Sequence, residues 1–242
     1  MLIIPRLKNL ILRQPLEDES DPILPPAVQI KAWRKAVRQT KWPISERELA
    51  DLEALPLPSL AEEDRMQGFS GTALFYGFGD DGSTGSDAVL SGKLAWEFSC
   101  RNRKGKSWQC EYIDFSKPED IRLRPDAPTR PKGFYYAKIQ LVARFQKMTV
   151  NQVRRTLDGD TGLGPEGFQL LGITHHHLVD WMNERKMPFM ALADYDVAPY
   201  GFNDFFDAPQ LFCSNSILGL GIGNVDRNYP LFGIPTLRFV FP

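Results

Sequence analysis

The sequence predicts an α+β fold: a mainly antiparallel sheet with flanking helices and long loops, preceded by a Pro-rich helical N-terminal arm. Three observations predict it. From residue 68 onward several stretches alternate apolar and polar residues, which is typical of half-buried strands. Between them lie shorter segments that begin with helix-capping residues. Residues 1–66, in contrast, are interrupted by eight prolines. We therefore divide the chain into an arm, residues 1–66, and a globular body, residues 67–242.

The composition excludes several classes of protein. With 242 residues, 43% of them hydrophobic, the chain can bury a sizeable core. A formal net charge of −1 gives no overall attraction to nucleic acid or to a membrane surface. The three cysteines lack the CxxC spacing of a zinc ribbon. No apolar run is long enough to span a bilayer, so we expect a soluble, cytoplasmic protein.

Two helices are predicted within the arm. The first covers residues 27–41 and the second opens with Ser45 and Glu48 at capping-box spacing. The first helix has an apolar stripe and carries basic residues elsewhere, without an acidic residue. Its candidate nucleic-acid or acidic-partner contacts are Lys31, Arg34, Lys35 and Arg38. A solvated helix face is the alternative. Each helix has one narrow apolar face, so the arm must dock on its own body or on a neighbour.

Period-two alternation predicts strands over residues 69–78, 88–100 and 106–115, with a hairpin turn at 102–105. The clearest strand covers residues 134–145. One face of that strand carries Lys138 and Arg144 beside an aromatic residue, a combination that contacts single-stranded nucleic acid. Polar residues are equally expected on any solvent-facing side of an antiparallel sheet.

A capped helix is predicted to begin at Thr149, with Gln152 at its third position, and to run through Leu157. A short helix over residues 166–172 follows.

All three histidines lie side by side at the start of the stretch 174–197. Thr174 is a predicted N-cap for a helix whose first three positions are the histidines and which continues through the run 178–186. Residues 189–193 form a short apolar run that predicts a buried strand. Asp194 and Asp196 follow, two residues apart. One hypothesis is an enzyme site in which His176, His177, Asp194 and Asp196 hold a divalent metal ion. The alternative is an ordinary helix start and a polar strand end, because no metal-binding spacing is present.

The C-terminal part combines aromatic loops with a glycine alternation. Aromatic residues cluster at 200–206 and 229–232, and such clusters pin loops to a core or form a contact surface. Gly219, Gly221 and Gly223 predict an extended segment with one bare face, which a planar group can approach closely. Residues 236–241 are the last predicted strand. Glycines ahead of a terminal strand are similar to those of the RNA-binding subunits of CRISPR effector complexes. The similarity covers residues 217–241 alone and identifies no family.

The signatures of serine hydrolases, kinases, P-loop NTPases and dinucleotide oxidoreductases do not occur in the sequence. The leading hypothesis is therefore a non-catalytic binding or assembly subunit of an intracellular multi-protein complex. Its partner would be a protein or a second copy, held by the arm and the aromatic loops, with nucleic acid as a further candidate. No cofactor is predicted under this hypothesis. The alternative is a metal-dependent hydrolase or transferase with a His/Asp site at 175–196.

Overall fold

A computed structural model describes residues 22–79, 86–117, 120–141, 145–198 and 204–239. The fold is α+β, as predicted. Its helices are α1 Pro26–Gln39, α2 Glu46–Ala50, α3 Glu62–Met66, α4 Ser86–Asn102, α5 Val150–Arg154, α6 Pro165–Gln169 and α7 His177–Asn183. Its strands are β1 Gly71–Phe78, β2 Ser107–Gln109, β3 Ile121–Leu123, β4 Lys132–Gln140, β5 Thr161–Gly162, β6 Phe189–Ala191, β7 Tyr195–Val197, β8 Asp207–Ser214, β9 Ile217–Asn224, β10 Phe232–Gly233 and β11 Thr236–Phe239. A 3-10 turn, Asp51–Ala54, follows α2, and a π-helical segment, Leu170–Thr174, continues α6.

The strands form two sheets that share a helical layer. The first sheet has the order β1-β4-β11-β5, and all of its pairs are antiparallel. In the second sheet β8 pairs with β6, β7 and β9, while β10, β3 and β2 extend it outward. The β2–β9 and β6–β10 pairs are parallel. Helix α4 contacts both β1 and β3, so the layer containing α4, α6 and the π-helical segment joins the two sheets.

The free edge of β1 is capped by side chains rather than by another strand. Gln29 of α1 accepts from the Leu74 N–H at 2.7 Å and donates to the Thr72 carbonyl at 3.0 Å. Further along the same edge, Gln169 of α6 bonds both backbone groups of Tyr76, at 2.9 and 2.8 Å. Unpaired edge groups are a template for unwanted strand pairing. Both glutamines are fully buried, so the edge is closed to other strands.

The described part of the predicted arm, residues 22–66, is helical and docks on the body of the same chain. Helix α1 confirms the predicted helix at 27–41, and the Ser45–Glu48 capping box is present. Trp33 is fully buried, donates to the Leu74 carbonyl at 3.0 Å and meets Phe134 edge to face. The side chains of this segment thus join the hydrophobic core that the body residues form.

The predicted strand at 88–100 is wrong, because this segment is part of α4. Its buried positions follow a helical period: Val89, Gly92, Ala95, Trp96 and Ser99 face inward. The small residues let α4 approach the π-helical segment closely; a Cβ on Gly172 would lie 2.8 Å from the Ala95 carbonyl oxygen. The apolar residues that suggested alternation include Leu90, which is 39% exposed.

Other local predictions differ in extent. The strand at 106–115 shortens to β2, and the turn at 102–105 follows a helix instead of joining two strands. Of the strand at 134–145, β4 covers residues up to Gln140. The cap formed by Thr149 and Gln152 is present. The predicted strands at 69–78, 189–193 and 236–241 correspond to the shorter β1, β6 and β11, and residues 240 and 241 lie outside the described residues. In the described residues no helix is long and apolar enough to cross a membrane.

Candidate functional site

The first of the three histidines, His175, is completely buried and holds the start of the described chain. Its Nε2 accepts from the Leu24 N–H at 3.0 Å, so the hydrogen is on Nδ1, which lies 2.7 Å from the Thr174 hydroxyl. Burial, reinforced by the neighbouring histidines, lowers the pKa of His175 to about 3. The ring is therefore a neutral structural group near pH 7.

The other two histidines have different surroundings. His176 is exposed. His177 is half-buried, places Nε2 3.2 Å from the Pro22 carbonyl and meets Trp181 edge to face at 5.6 Å. Burial lowers the pKa of His177. The prediction of Thr174 as the N-cap of α7 is wrong, because Thr174 lies in the π-helical segment. His176 occupies the N-cap position and its side chain makes no capping hydrogen bond.

Asp194 lies in a buried ion-pair network around Arg130. The Arg130 Nη2 is 2.9 Å from Asp194 Oδ2, and its Nε is 2.9 Å from Glu166 Oε1. Asp194 also accepts from the Thr161 hydroxyl and from the Gly162 N–H, the latter at 3.1 Å. The side chains of Arg130, Glu166 and Asp194 are at most 4% exposed. The single guanidinium of Arg130 therefore bridges two buried carboxylates, which compensates its charge inside the protein.

Glu166 is the centre of this network and was not among the residues that the sequence predicted. It accepts from the Tyr135 hydroxyl at 2.8 Å and from the Gly164 N–H at 3.0 Å. Burial opposes its ionisation, but the charge and hydrogen bonds of Arg130, together with backbone donors that include the Gly164 N–H, outweigh burial, so the pKa of Glu166 is lowered. Burial and the Glu166 charge raise the pKa of Tyr135 well above its ordinary value. No local sequence signal marks Glu166, since its partners lie far away in the chain.

Asp196 belongs to a separate pair on β7. Arg154 of α5 places Nη2 2.9 Å from Asp196 Oδ1 and donates to the backbone carbonyls of Ala193 and Tyr195 at 2.8 and 2.9 Å. Burial raises the pKa of Asp196 although Arg154 opposes that change. Arg154 thus fixes the turn between β6 and β7.

Three of the four residues of the metal hypothesis therefore have separate hydrogen-bond or ion-pair partners, and the fourth, His176, is exposed. His177 contacts Pro22, Asp194 pairs with Arg130, and Asp196 pairs with Arg154. Within the described ranges, no group of three or more His, Cys, Asp or Glu residues is arranged to hold a metal ion. The metal-dependent enzyme stays a prediction from the sequence alone.

The predicted basic contacts are divided between two places. Lys31, Lys35 and Arg38 are exposed on α1. Arg34 pairs with Glu53 at 2.8 Å, and Lys138 on β4 pairs with Asp64 of α3 at 2.6 Å. Arg144 lies outside the described residues. The strand face that carries Lys138 is covered, because its neighbours Tyr136 and Gln140 are buried.

A groove of about 440 Å³ lies beside the basic face of α1. Its wall includes Ile30, Lys31 and Arg34 from α1 and Leu52 and Leu57 from the segment that follows α2. Leu57 is 51% exposed. The groove is therefore apolar inside with basic residues at its border.

A row of aromatic rings crosses the second sheet. The rings belong to Trp108 of β2, Phe212 of β8, Phe189 of β6, Phe232 of β10 and Tyr229, in that order. Successive centroids are 6.1, 5.9, 5.2 and 5.9 Å apart. We call these five residues the aromatic row. Trp108 is 51% exposed and the other four are partly exposed.

The glycine alternation of β9 explains how the row forms. Gly219 is opposite Phe212 on one side and Trp108 on the other. A Cβ at Gly219 would lie 2.2 Å from the Phe212 ring. The bare face predicted from the sequence is thus occupied by the chain's own ring, while Leu218 and Leu220 point to the opposite, buried face.

Comparison with known proteins gave no match: no family model, no curated protein and no solved structure matches the chain.

Proposed function

We propose that the chain is a non-catalytic binding or assembly subunit of a multi-protein complex, and that the aromatic row is its main contact surface. The row is the observation that carries this proposal. Exposed apolar patches of this kind mark interaction sites, and Trp, Tyr and Phe are enriched in the buried centres of protein interfaces. A half-exposed Trp108 beside four partly exposed rings has the composition of such a centre.

The proposed partner is a protein that offers an apolar surface. Of the described cations, Arg227 is the one placed over a ring of the row, 5.5 Å above Tyr229. A surface for single-stranded nucleic acid combines stacked rings with a track of cations along the phosphates. The exposed lysines of α1 are not part of the row, so a protein fits this surface better than a nucleic-acid strand.

The buried charges also favour a binding role over catalysis. Arg130, Glu166, Asp194, Arg154 and Asp196 are all engaged in pairs that join separate segments of the chain. Their hydrogen bonds hold backbone turns in place, as the bonds of Arg154 to two carbonyls show. This arrangement supports the interpretation that they stabilise the scaffold that presents the row.

Site-specific photocrosslinking tests the proposal. A photoreactive phenylalanine analogue replaces Trp108 in the full chain, expressed in the native host; a matched protein carries it at Met66, which is 82% exposed and far more accessible. We expect one discrete protein adduct from position 108 and none of the same mass from position 66. Introducing Phe232→Ala into the position-108 protein should reduce that adduct, because it removes a neighbouring ring.

Three outcomes would contradict the proposal. These are no adduct from position 108, the same adducts from both positions, and an adduct that contains nucleic acid instead of protein. The last outcome would transfer support to the nucleic-acid version of the hypothesis, which also requires binding that weakens steeply with salt.

A further inference from the structure

A cluster of arginines lies on one face at the β3 edge of the second sheet, away from the aromatic row. Arg122 of β3 is directly opposite Asp196 of β7, so their side chains project from the same face. Arg124 continues this ladder, since its N–H donates to the Asp194 carbonyl at 2.9 Å. Residues 122 and 124 are two apart and share that face. Arg154 joins them through its pair with Asp196.

One guanidinium group of this cluster has no ion-pair partner among the described residues. Arg154 pairs with Asp196 at 2.9 Å, and Arg124 pairs with Asp126 at 2.6 Å. In the described part of the chain the Arg122 side chain has neither an ion pair nor a hydrogen bond; its guanidinium carbon lies 3.5 Å above the Phe205 ring. Arg124 and Arg154 are thus each ion-paired, and the charge of Arg122 is not. Burial, together with the charge of Arg124 and against the charge of Asp196, lowers the pKa of Arg154.

Two of the guanidinium donors are buried without a partner. The Nε of Arg122 and the Nη1 of Arg124 have no hydrogen-bond acceptor among the described residues. The Arg124 side chain is 10% exposed, so it is largely removed from water. A buried donor without an acceptor costs about 1 to 3 kcal/mol. An anion with several acceptor oxygens would satisfy both the unpaired charge of Arg122 and the two unused donors.

We propose that Arg122 and Arg124, next to Arg154, form a binding site for a phosphate-type oxyanion at the β3 edge of the second sheet. Guanidinium groups match the geometry of phosphate oxygens and remain charged when they are partly buried. Phe205 holds the Arg122 guanidinium by stacking, which reduces the freedom that is lost on binding. The ligand is free phosphate or a phosphoryl group of a larger molecule, since both present the same oxygens.

Isothermal titration calorimetry of the full chain with inorganic phosphate tests the site, at constant ionic strength maintained with chloride. We expect saturable binding with one phosphate per chain. Arg122→Gln should raise the dissociation constant by about tenfold or more, because a charge-assisted contact is lost. Arg47→Gln is the matched control, since Arg47 is 93% exposed and makes one long ion pair; it should bind like the wild type. A phosphomonoester is titrated in a second arm. An affinity higher than that of inorganic phosphate indicates that the ligand is a phosphoryl group of a larger molecule, and a lower affinity indicates free phosphate.

Arg122→Gln is preferred over Arg124→Gln because it breaks no ion pair among the described residues, and a thermal melt checks that the variant is folded. Absence of saturable phosphate binding to the wild type overturns the proposal, as does equal affinity in Arg122→Gln. Trp108→Ala should leave phosphate affinity unchanged, because Trp108 lies on β2 and is not part of the cluster. Failure of this site therefore leaves the proposed protein interface untouched, and the converse also holds.

Discussion

Protonation of His175 should destabilise the protein in mildly acidic solution. The His175 Nε2 accepts a hydrogen bond from the Leu24 N–H, and a protonated nitrogen cannot accept. The pKa of His175 is about 3 in the folded protein against an ordinary value of 6.5. Between these two values the unfolded chain binds the proton and the folded chain does not. The contribution is therefore fully present above pH 6.5 and is lost progressively as the pH falls toward 3.

The magnitude follows from the width of that interval. Each pH unit within it corresponds to about 1.4 kcal/mol, so about 2 kcal/mol of unfolding free energy should be lost between about pH 7 and about pH 5. Asp196, whose pKa is raised by burial, changes stability in the opposite direction, so the histidine contribution is measured as the difference between the wild type and a His175 variant. His177, whose pKa is lowered, changes stability in the same direction as His175.

Urea unfolding followed by circular dichroism at the two pH values measures the effect. His175→Gln keeps a group that can accept from Leu24 but cannot titrate, so the loss between about pH 7 and about pH 5 should shrink by about 2 kcal/mol. His176→Gln is the matched control one residue away, at an exposed position, and should behave like the wild type. If His175→Gln keeps the pH dependence of the wild type, His175 is not its cause. A loss of that dependence in His176→Gln would lead to the same conclusion.

Three further predictions concern the scaffold, and each is measured by urea unfolding. Gln29→Leu leaves two backbone groups of β1 unpaired and should lower the free energy of unfolding by about 2 to 4 kcal/mol. A change below about 1 kcal/mol would contradict edge capping by this side chain. Arg130→Met leaves Glu166 buried beside a second carboxylate, so the free energy of unfolding should fall by about 3 to 5 kcal/mol. Part of this loss should be recovered at about pH 5, because the carboxyl groups then take up protons. A loss of stability that does not depend on pH would argue against the ion pairs. Gly219→Ala forces a Cβ against the Phe212 ring and should cost about 1 to 3 kcal/mol; a neutral effect would mean that the ring does not lie over this glycine.

The parts of the fold that the sequence predicted well are those with strong local signals. The Ser45–Glu48 capping box, the alternation along β4 and the glycines of β9 each report a structure set by nearby residues. The segment of α4 was predicted as a strand because its apolar residues fit the period of a strand as well as that of a helix. Its length of 17 residues and its small residues at helical spacing were the better signals, since strands are usually 3 to 10 residues long.

The candidate sites depend on contacts between distant segments, and local patterns do not encode those contacts. Glu166 meets Arg130 and Tyr135 across 36 and 31 residues, so the sequence alone marked Asp194 and missed its partners. Lys138 was a predicted nucleic-acid contact, but it pairs with Asp64, which lies 74 residues away in the chain. Of the aromatic row, only Tyr229 and Phe232 belong to an aromatic cluster that the sequence predicts. Trp108, Phe189 and Phe212 join them through the pairing of strands that are distant in the chain.

The proposed assembly role depends most directly on the mass of the particle in which the chain exists. Sedimentation velocity of the protein, isolated gently from its native host, gives that mass for the wild type and for Trp108→Ala. We expect the wild type to sediment in a particle heavier than the 27.5 kDa chain. A substantial fraction of Trp108→Ala should sediment as the free monomer, since removal of a central interface Trp costs about 2 kcal/mol or more. A monomeric wild type, or particles of the same mass for both proteins, would contradict the proposed assembly role.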